Sequence, residues 1–189
     1  FSDAALNGIG IKKALPDTED QALIYLLMSS EQLDKVAYLS VLCDFITQYP
    51  NSHEGYIRRA NLYMHDDDES KYPLASQDLK NAVEMAANKE EAMFQVAKAI
   101  YSYLVTSENK KSYAEWTYDN ALDIIRDVIQ KNDQPIYTQL EGDILFAKKD
   151  YAGAFVSYDK LNKSELVSSA TFYSAAKAMQ LIEGSDLND

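Results

Sequence analysis

The sequence predicts an all-α chain organised as a stack of antiparallel helix pairs. Glycine and proline are sparse, six and four in 189 residues, and Ala, Leu, Lys, Glu, Gln and Met fill the stretches between them, the composition of helices joined by short turns. Small and apolar residues recur at spacings of four and three, which places them on one helical face. A three-residue pattern also returns after 34 residues, as repeated supersecondary units require.

Each element has its own signal. Helices are expected over 18–29 and 33–49, the second ended by Pro50, whose ring cannot continue it. A third runs over 53–65. The polar stretch His65 to Tyr72 separates it from a fourth over 73–87, with Pro73 in the first turn, where a missing N–H does no harm. A fifth spans 90–105, and a sixth 112–131 with Ser112 as N-cap. Pro135 opens a seventh over 135–148, Asp150 caps an eighth over 151–162, and Ser164 caps a ninth over 165–183 that Gly184 closes. The helices group into units at 17–50, 51–88, 89–133, 134–168 and an incomplete 169–183 that lacks its companion helix. Together they make one repeat domain, expected to be a fragment of a longer, bacterial polypeptide.

The repeat shows in both halves. Thr138, Gly142 and Leu145 return as Phe172, Ala176 and Met179 at an interval of 34. Tyr56, Ala60 and Tyr63 return as Met93, Ala97 and Ile100 at 37, the excess falling in the stretch His65 to Tyr72. The second helices carry Ala75, Leu79, Ala82; Ala121, Ile125, Val128; and Ala154, Tyr158, Leu161, with a weaker Val36, Ser40, Cys43 in the first unit. Small residues at Ala60, Ala97, Gly142 and Ala176 let a partner helix approach, while Tyr56, Tyr63, Ile100, Leu145 and Phe172 fill the gaps.

The run Gly142-Asp143-Ile144-Leu145-Phe146-Ala147-Lys148-Lys149-Asp150-Tyr151-Ala152-Gly153-Ala154-Phe155-Val156-Ser157-Tyr158 resembles the centre of a tetratricopeptide repeat: helix-A Gly, Asp-Tyr turn, helix-B Ala and aromatic. The resemblance extends over about Asp17 to Glu183, and 34 residues is that family's period. It departs at Thr138 and Met93, where the family prefers an aromatic, and at Glu141, where it prefers Leu. The resemblance implies a right-handed superhelical solenoid with a concave groove lined by first helices. The lining would include Asn61, Met64, Phe94, Lys98, Tyr101, Gln139, Asp143, Phe146, Tyr173 and Lys177. Rings and isolated lysines in that face would suit an extended or helical peptide with apolar anchors and some acidic character. Asn61 stands at a position suited to the family's carboxylate clamp, but Ile57 and Gln95 replace the Lys and Asn the clamp needs, so a chaperone tail is not the expected ligand.

Composition narrows the function classes. A net charge of −12 repels a phosphate backbone, so nucleic acid is not an expected partner. The densest apolar run, Ala22 to Met28, is far short of the ~20 residues that cross a bilayer. Cys43 is the one cysteine and is expected in the core, which leaves the redox compartment open. The start at Phe1 accords with a processed exported protein or a trimmed chain, and an exported, periplasmic setting is preferred over a cytoplasmic one.

Signals for chemistry are weak. His65-Asp66-Asp67-Asp68-Glu69 misses the Ca²⁺-loop pattern, with Lys71 where its Gly belongs and Gln77 where its Glu belongs, and reads as a solvated loop. Gly8-Ile9-Gly10 lacks a preceding strand and reads as a lead-in. His53 and His65 have no supporting constellation. No catalytic residue, cofactor or metal is therefore expected. Trp116, near Tyr113 and Tyr118, is expected to brace the segment Ser102 to Tyr113, and Asn162-Lys163-Ser164 matches a glycosylation acceptor. The leading expectation is a protein- or peptide-binding scaffold. The alternative is a structural or carbohydrate-binding component of an exported cell-envelope assembly, with Tyr101, Phe146 and Trp116 as stacking faces.

Overall fold

The computed structural model describes residues 14–106, 113–161 and 169–186. Among them are nine α-helices, one short 3₁₀ turn and no strand. The helices are α1 (Glu19–Gln32), α2 (Lys35–Gln48), α3 (His53–Met64), α4 (Tyr72–Met85), α5 (Lys89–Thr106), α6 (Tyr118–Lys131), α7 (Pro135–Ala147), α8 (Tyr151–Leu161) and α9 (Ser169–Asp186), with the 3₁₀ turn Glu69–Lys71 before α4. The chain divides into two compact units, Phe1–Ala87 and Asn88–Asp189. The division falls at the border between the second and third expected hairpins.

Local chemistry explains the boundaries. Asp34 accepts from Ala37 N at 2.9 Å to start α2, and Asn88 from Glu91 N at 3.1 Å to start α5. Asp150 accepts from Gly153 N at 2.9 Å to start α8, as expected of it. Pro73 and Pro135 sit in the first turns of α4 and α7. Two expectations fail. The sixth helix begins at Tyr118 behind the cap Thr117, whose hydroxyl accepts from Asn120 N at 3.1 Å, so Ser112 does not cap it. Gly184 lies inside α9 instead of closing it, because a lone glycine near a helix end costs only about 1 kcal/mol. The excess residues at His65 to Tyr72 hold the 3₁₀ turn as well as a loop. The expected cap Ser164, the acceptor pattern at Asn162, Ser112 itself and Gly8-Ile9-Gly10 lie outside the described residues.

In the first unit, Ala22, Leu26, Tyr38, Leu42 and Phe45 form a core between α1 and α2. The fully enclosed Leu42 and Phe45 each contribute about 2 kcal/mol. This corrects the register expected for α2: Val36 is 80% exposed and Cys43 only half-buried, because the larger residues Tyr38, Leu42 and Phe45 take the inner face at the same spacing. Between α3 and α4, Ala60, Ala75, Leu79 and Ala82 are buried as expected. An unforeseen ion pair joins these helices: Arg59 donates from Nε to Asp78 Oδ2 and from Nη2 to Oδ1, both at 2.8 Å. Nη1 also reaches Cys43 Sγ at 3.4 Å, tying α2 to the pair. The bond to Asp78 holds the guanidinium above its ordinary pKa against burial, which would lower it.

In the second unit each helix packs on its neighbour in sequence, and α5 also meets α7. Ala97, Ala121, Ile125, Val128, Ala154 and Tyr158 are all buried, as the spacing predicts. Phe146 at the end of α7 meets Tyr151 at the start of α8, ring centroids 5.4 Å apart, while Gly142, earlier in α7, meets Tyr158, later in α8. These two helices therefore run antiparallel. By the same test α7 and α9 run parallel, since Thr171 donates to Gln139 early in both and Lys177 overlies Phe146 later in both. Glu141, the departure from the family's Leu, is buried and bridges three helices: it accepts from Arg126 Nε of α6 at 2.8 Å and from Ser157 Oγ of α8 at 3.0 Å.

The last helix corrects the repeat register. Thr171, Ala175 and Ala178 are buried, whereas Phe172 is 54% and Met179 48% exposed and Ala176 lies open. In α7 the matching Thr138, Gly142 and Leu145 are enclosed, Gly142 against the Tyr158 ring of α8. No described helix covers Phe172 and Met179 of α9, which leaves these two apolar side chains on an open face, as a unit without its companion helix would.

Candidate functional site

The residues singled out in the sequence separate into distinct places. Tyr101 from α5, Asp143 and Phe146 from α7, Tyr158 from α8, and Tyr173, Ser174 and Lys177 from α9 surround a pocket of about 200 Å³ in the second unit. Five of these, Tyr101, Asp143, Phe146, Tyr173 and Lys177, belong to the expected groove lining. Tyr158 and Ser174 do not. Tyr158 was placed in the core by its helix-B spacing, and its ring is indeed 1% exposed, yet its hydroxyl reaches the pocket carboxylate.

Helical spacing builds the floor. Gln139, Asp143 and Phe146 follow one another at four and three along α7 and so share a face. Asp143 Oδ1 accepts twice, from Gln139 Nε2 at 2.9 Å and from the Tyr158 hydroxyl at 2.8 Å. Gln139 is held in turn by Thr171, whose hydroxyl donates to its Oε1 at 2.8 Å. The network orients the carboxylate from three helices, and Gln139 acts through Asp143 instead of lining the pocket.

Burial sets the electrostatics. Desolvation pushes the Asp143 carboxyl above its ordinary value despite the two bonds that stabilise its charged form. Burial, followed by the nearby Asp143 charge, pushes the Tyr158 phenol far up. Tyr101 is likewise raised by burial first and by Asp143 second. Lys177 stands with Nζ 5.6 Å from the Phe146 ring centroid, within cation–π range.

The remaining expected residues lie elsewhere. Lys98 is exposed on α5, one turn before Tyr101. Phe94 is 4% exposed and stacks on Tyr137 at 5.0 Å, and Met64 is 1% exposed, so both belong to the core and not to a groove. Long apolar side chains on a face shared by two packed helices are withdrawn from solvent first. In the first unit Asn61 borders a wider cavity of about 570 Å³ with Lys35, Arg58 and His65. Its cations are already engaged: Lys35 pairs with Asp66 at 2.6 Å and Arg58 with Glu54 at 3.1 Å.

The acidic loop is tied down internally. Asp66 also takes Lys71 at 2.7 Å and the Asp68 N–H at 3.0 Å, and these donors, Lys35 foremost, hold its carboxyl well below the usual range. Among the described residues no group of three or more His, Cys, Asp or Glu side chains converges as a metal site would require. Trp116 is 3% exposed, packed on Tyr103 at 5.1 Å and Tyr113 at 4.5 Å, which makes it a brace and removes it as a stacking face. No described helix is long and apolar enough to cross a membrane. No protein-family model, curated protein or solved structure matches the chain.

Proposed function

We propose that this protein is a non-enzymatic scaffold that binds a segment of another protein, using the exposed side of its first-position helices in a right-handed, tetratricopeptide-like array. The observation that carries the reading is the convergence of Tyr101, Asp143, Phe146, Tyr173 and Lys177, from three helices, on one pocket. Parallel α7 and α9, each packed on α8, are the arrangement that stacked hairpins produce, and stacking would present such pockets in succession. Tyr173, 69% exposed, offers an aromatic anchor of the kind that dominates peptide interfaces. The pocket chemistry favours holding over turnover: one oxygen of Asp143 is occupied by Tyr158 and Gln139, and burial keeps the Tyr158 phenol from ionising near neutral pH. The carbohydrate alternative loses Trp116, one of its three stacking rings, to the core.

Selection of a displayed random-peptide library on the full chain tests this reading. Peptides should be enriched whose binding falls at least tenfold in Phe146→Ala and in Tyr173→Ala. Enrichment of nothing, or of peptides indifferent to both substitutions, would remove it.

A further inference from the structure

Resting on that peptide-binding reading, we infer that the pocket takes a lysine side chain of the partner protein, its ammonium against Asp143 Oδ2 and its methylenes against the Phe146 and Tyr173 rings. Asp143 is the centre of the argument. Its Oδ1 has both acceptor sites filled by Gln139 and Tyr158, while Oδ2 has no hydrogen-bond donor and no ion-pair partner among the described residues. A half-buried carboxylate in that state has lost water without gaining a positive partner, and burial raises its pKa accordingly.

The surroundings suit a cation. Tyr101, Phe146 and Tyr173 line the pocket, and the Phe146 ring already receives one ammonium within cation–π range. Lys177 already places its own ammonium over Phe146, yet makes no ion pair with Asp143. At about 200 Å³ the cavity is below the ~300–1,000 Å³ of small-molecule sites and matches a single inserted side chain. The net charge of −12 draws basic segments towards the chain at long range.

The hydrogen-bond count selects lysine over arginine. A guanidinium gains most from two parallel bonds to both carboxylate oxygens, and Oδ1 is closed to the second of them. An ammonium is a compact point charge that needs only Oδ2. This reverses the acidic partner suggested by the lysines of the expected groove, because Lys98 lies outside the pocket and Lys177 is turned onto a ring.

The test uses arrays of otherwise random octapeptides with a fixed central Lys, Arg, norleucine or Glu, probed with the full chain and with Asp143→Asn and Lys177→Met. Asn keeps an acceptor for Tyr158 and Gln139, and a thermal melt confirms that each variant folds. The Lys set should bind at least tenfold better than the norleucine set and better than the Arg set. Asp143→Asn should abolish that preference, and Lys177→Met should strengthen Lys binding by removing a like charge. Preference for Glu or norleucine, or weaker Lys binding in Lys177→Met, overturns the lysine inference while leaving the scaffold reading intact if Phe146→Ala still lowers binding. Absence of binding in all four sets overturns both.

Discussion

The Tyr158 ring lies so close to Gly142 that a Cβ on residue 142 would stand 2.5 Å from its Cε1 atom. The same tyrosine donates to Asp143, the next residue in α7, so one side chain of α8 both seals the helix pair and sets the pocket carboxylate. Gly142→Ala would gain helix propensity but force the ring aside, and overpacking of this kind outweighs the gain. A net loss of about 1–2 kcal/mol is expected in urea denaturation. Parental stability in this variant would mean that the ring turns away at little cost.

Asp78 is almost wholly enclosed, its side chain 4% exposed, and Arg59 is 20% exposed. Removing one partner strands the other charge. Asp78→Ala is expected to cost about 3 kcal/mol, whereas the joint change Arg59→Met with Asp78→Leu should cost clearly less, since apolar residues of similar volume replace a buried pair well. A double-mutant cycle in guanidinium chloride measures both. Equal losses would show that the pair is not desolvated.

Lys149 holds a left-handed backbone, φ 71°, between α7 and α8. Its N–H donates to Phe146 O at 3.0 Å and that of Asp150 to Leu145 O at 2.9 Å, a Schellman closure whose left-handed position favours glycine. Lys149→Gly should stabilise the protein by about 0.5–1 kcal/mol, read as a rise in melting temperature. A fall would place the side chain in a contact stronger than the strain.

Burial raises the Asp143 pKa, so the folded chain binds this proton more readily than the unfolded one. The folded state is therefore favoured below the ordinary value of 3.8 and loses that advantage as pH climbs through the raised value. Tyr101, Tyr158, Tyr173 and Lys177 are the titratable groups that share the pocket, and burial keeps the Tyr101 and Tyr158 phenols neutral through this range. Asp143→Asn should raise the melting temperature at pH 7 by about 2–4 °C and give no gain well below pH 4. An unchanged melt at pH 7 would mean the carboxylate is better solvated than its setting implies.

Much of the helical layout was legible along the chain because its signals are local. Asp150, Pro73 and Pro135 act within one turn of themselves, and the triplet Ala154, Tyr158, Leu161 follows from the 3.6-residue period alone. The floor of the pocket was legible for the same reason: Asp143 and Phe146 share a helical face whatever lies opposite. The start of the sixth helix was misjudged because Thr117, whose hydroxyl accepts from Asn120 N, is as good a local cap signal as any serine nearby, and the helix begins at Tyr118.

The sequence by itself determined that the chain is helical, where most helices start and stop, and which side chains ride together on a face, since these depend on dihedral preferences and capping over a few residues. The tertiary structure alone decided which face is covered. That is why α9 buries Ala175 and Ala178 while Phe172 and Met179 face outward, why Glu141 meets Arg126 and Ser157, and why the Tyr158 hydroxyl finds Asp143. Burial and pairing are properties of two segments at once, and the period of one helix says nothing about which neighbour will close it.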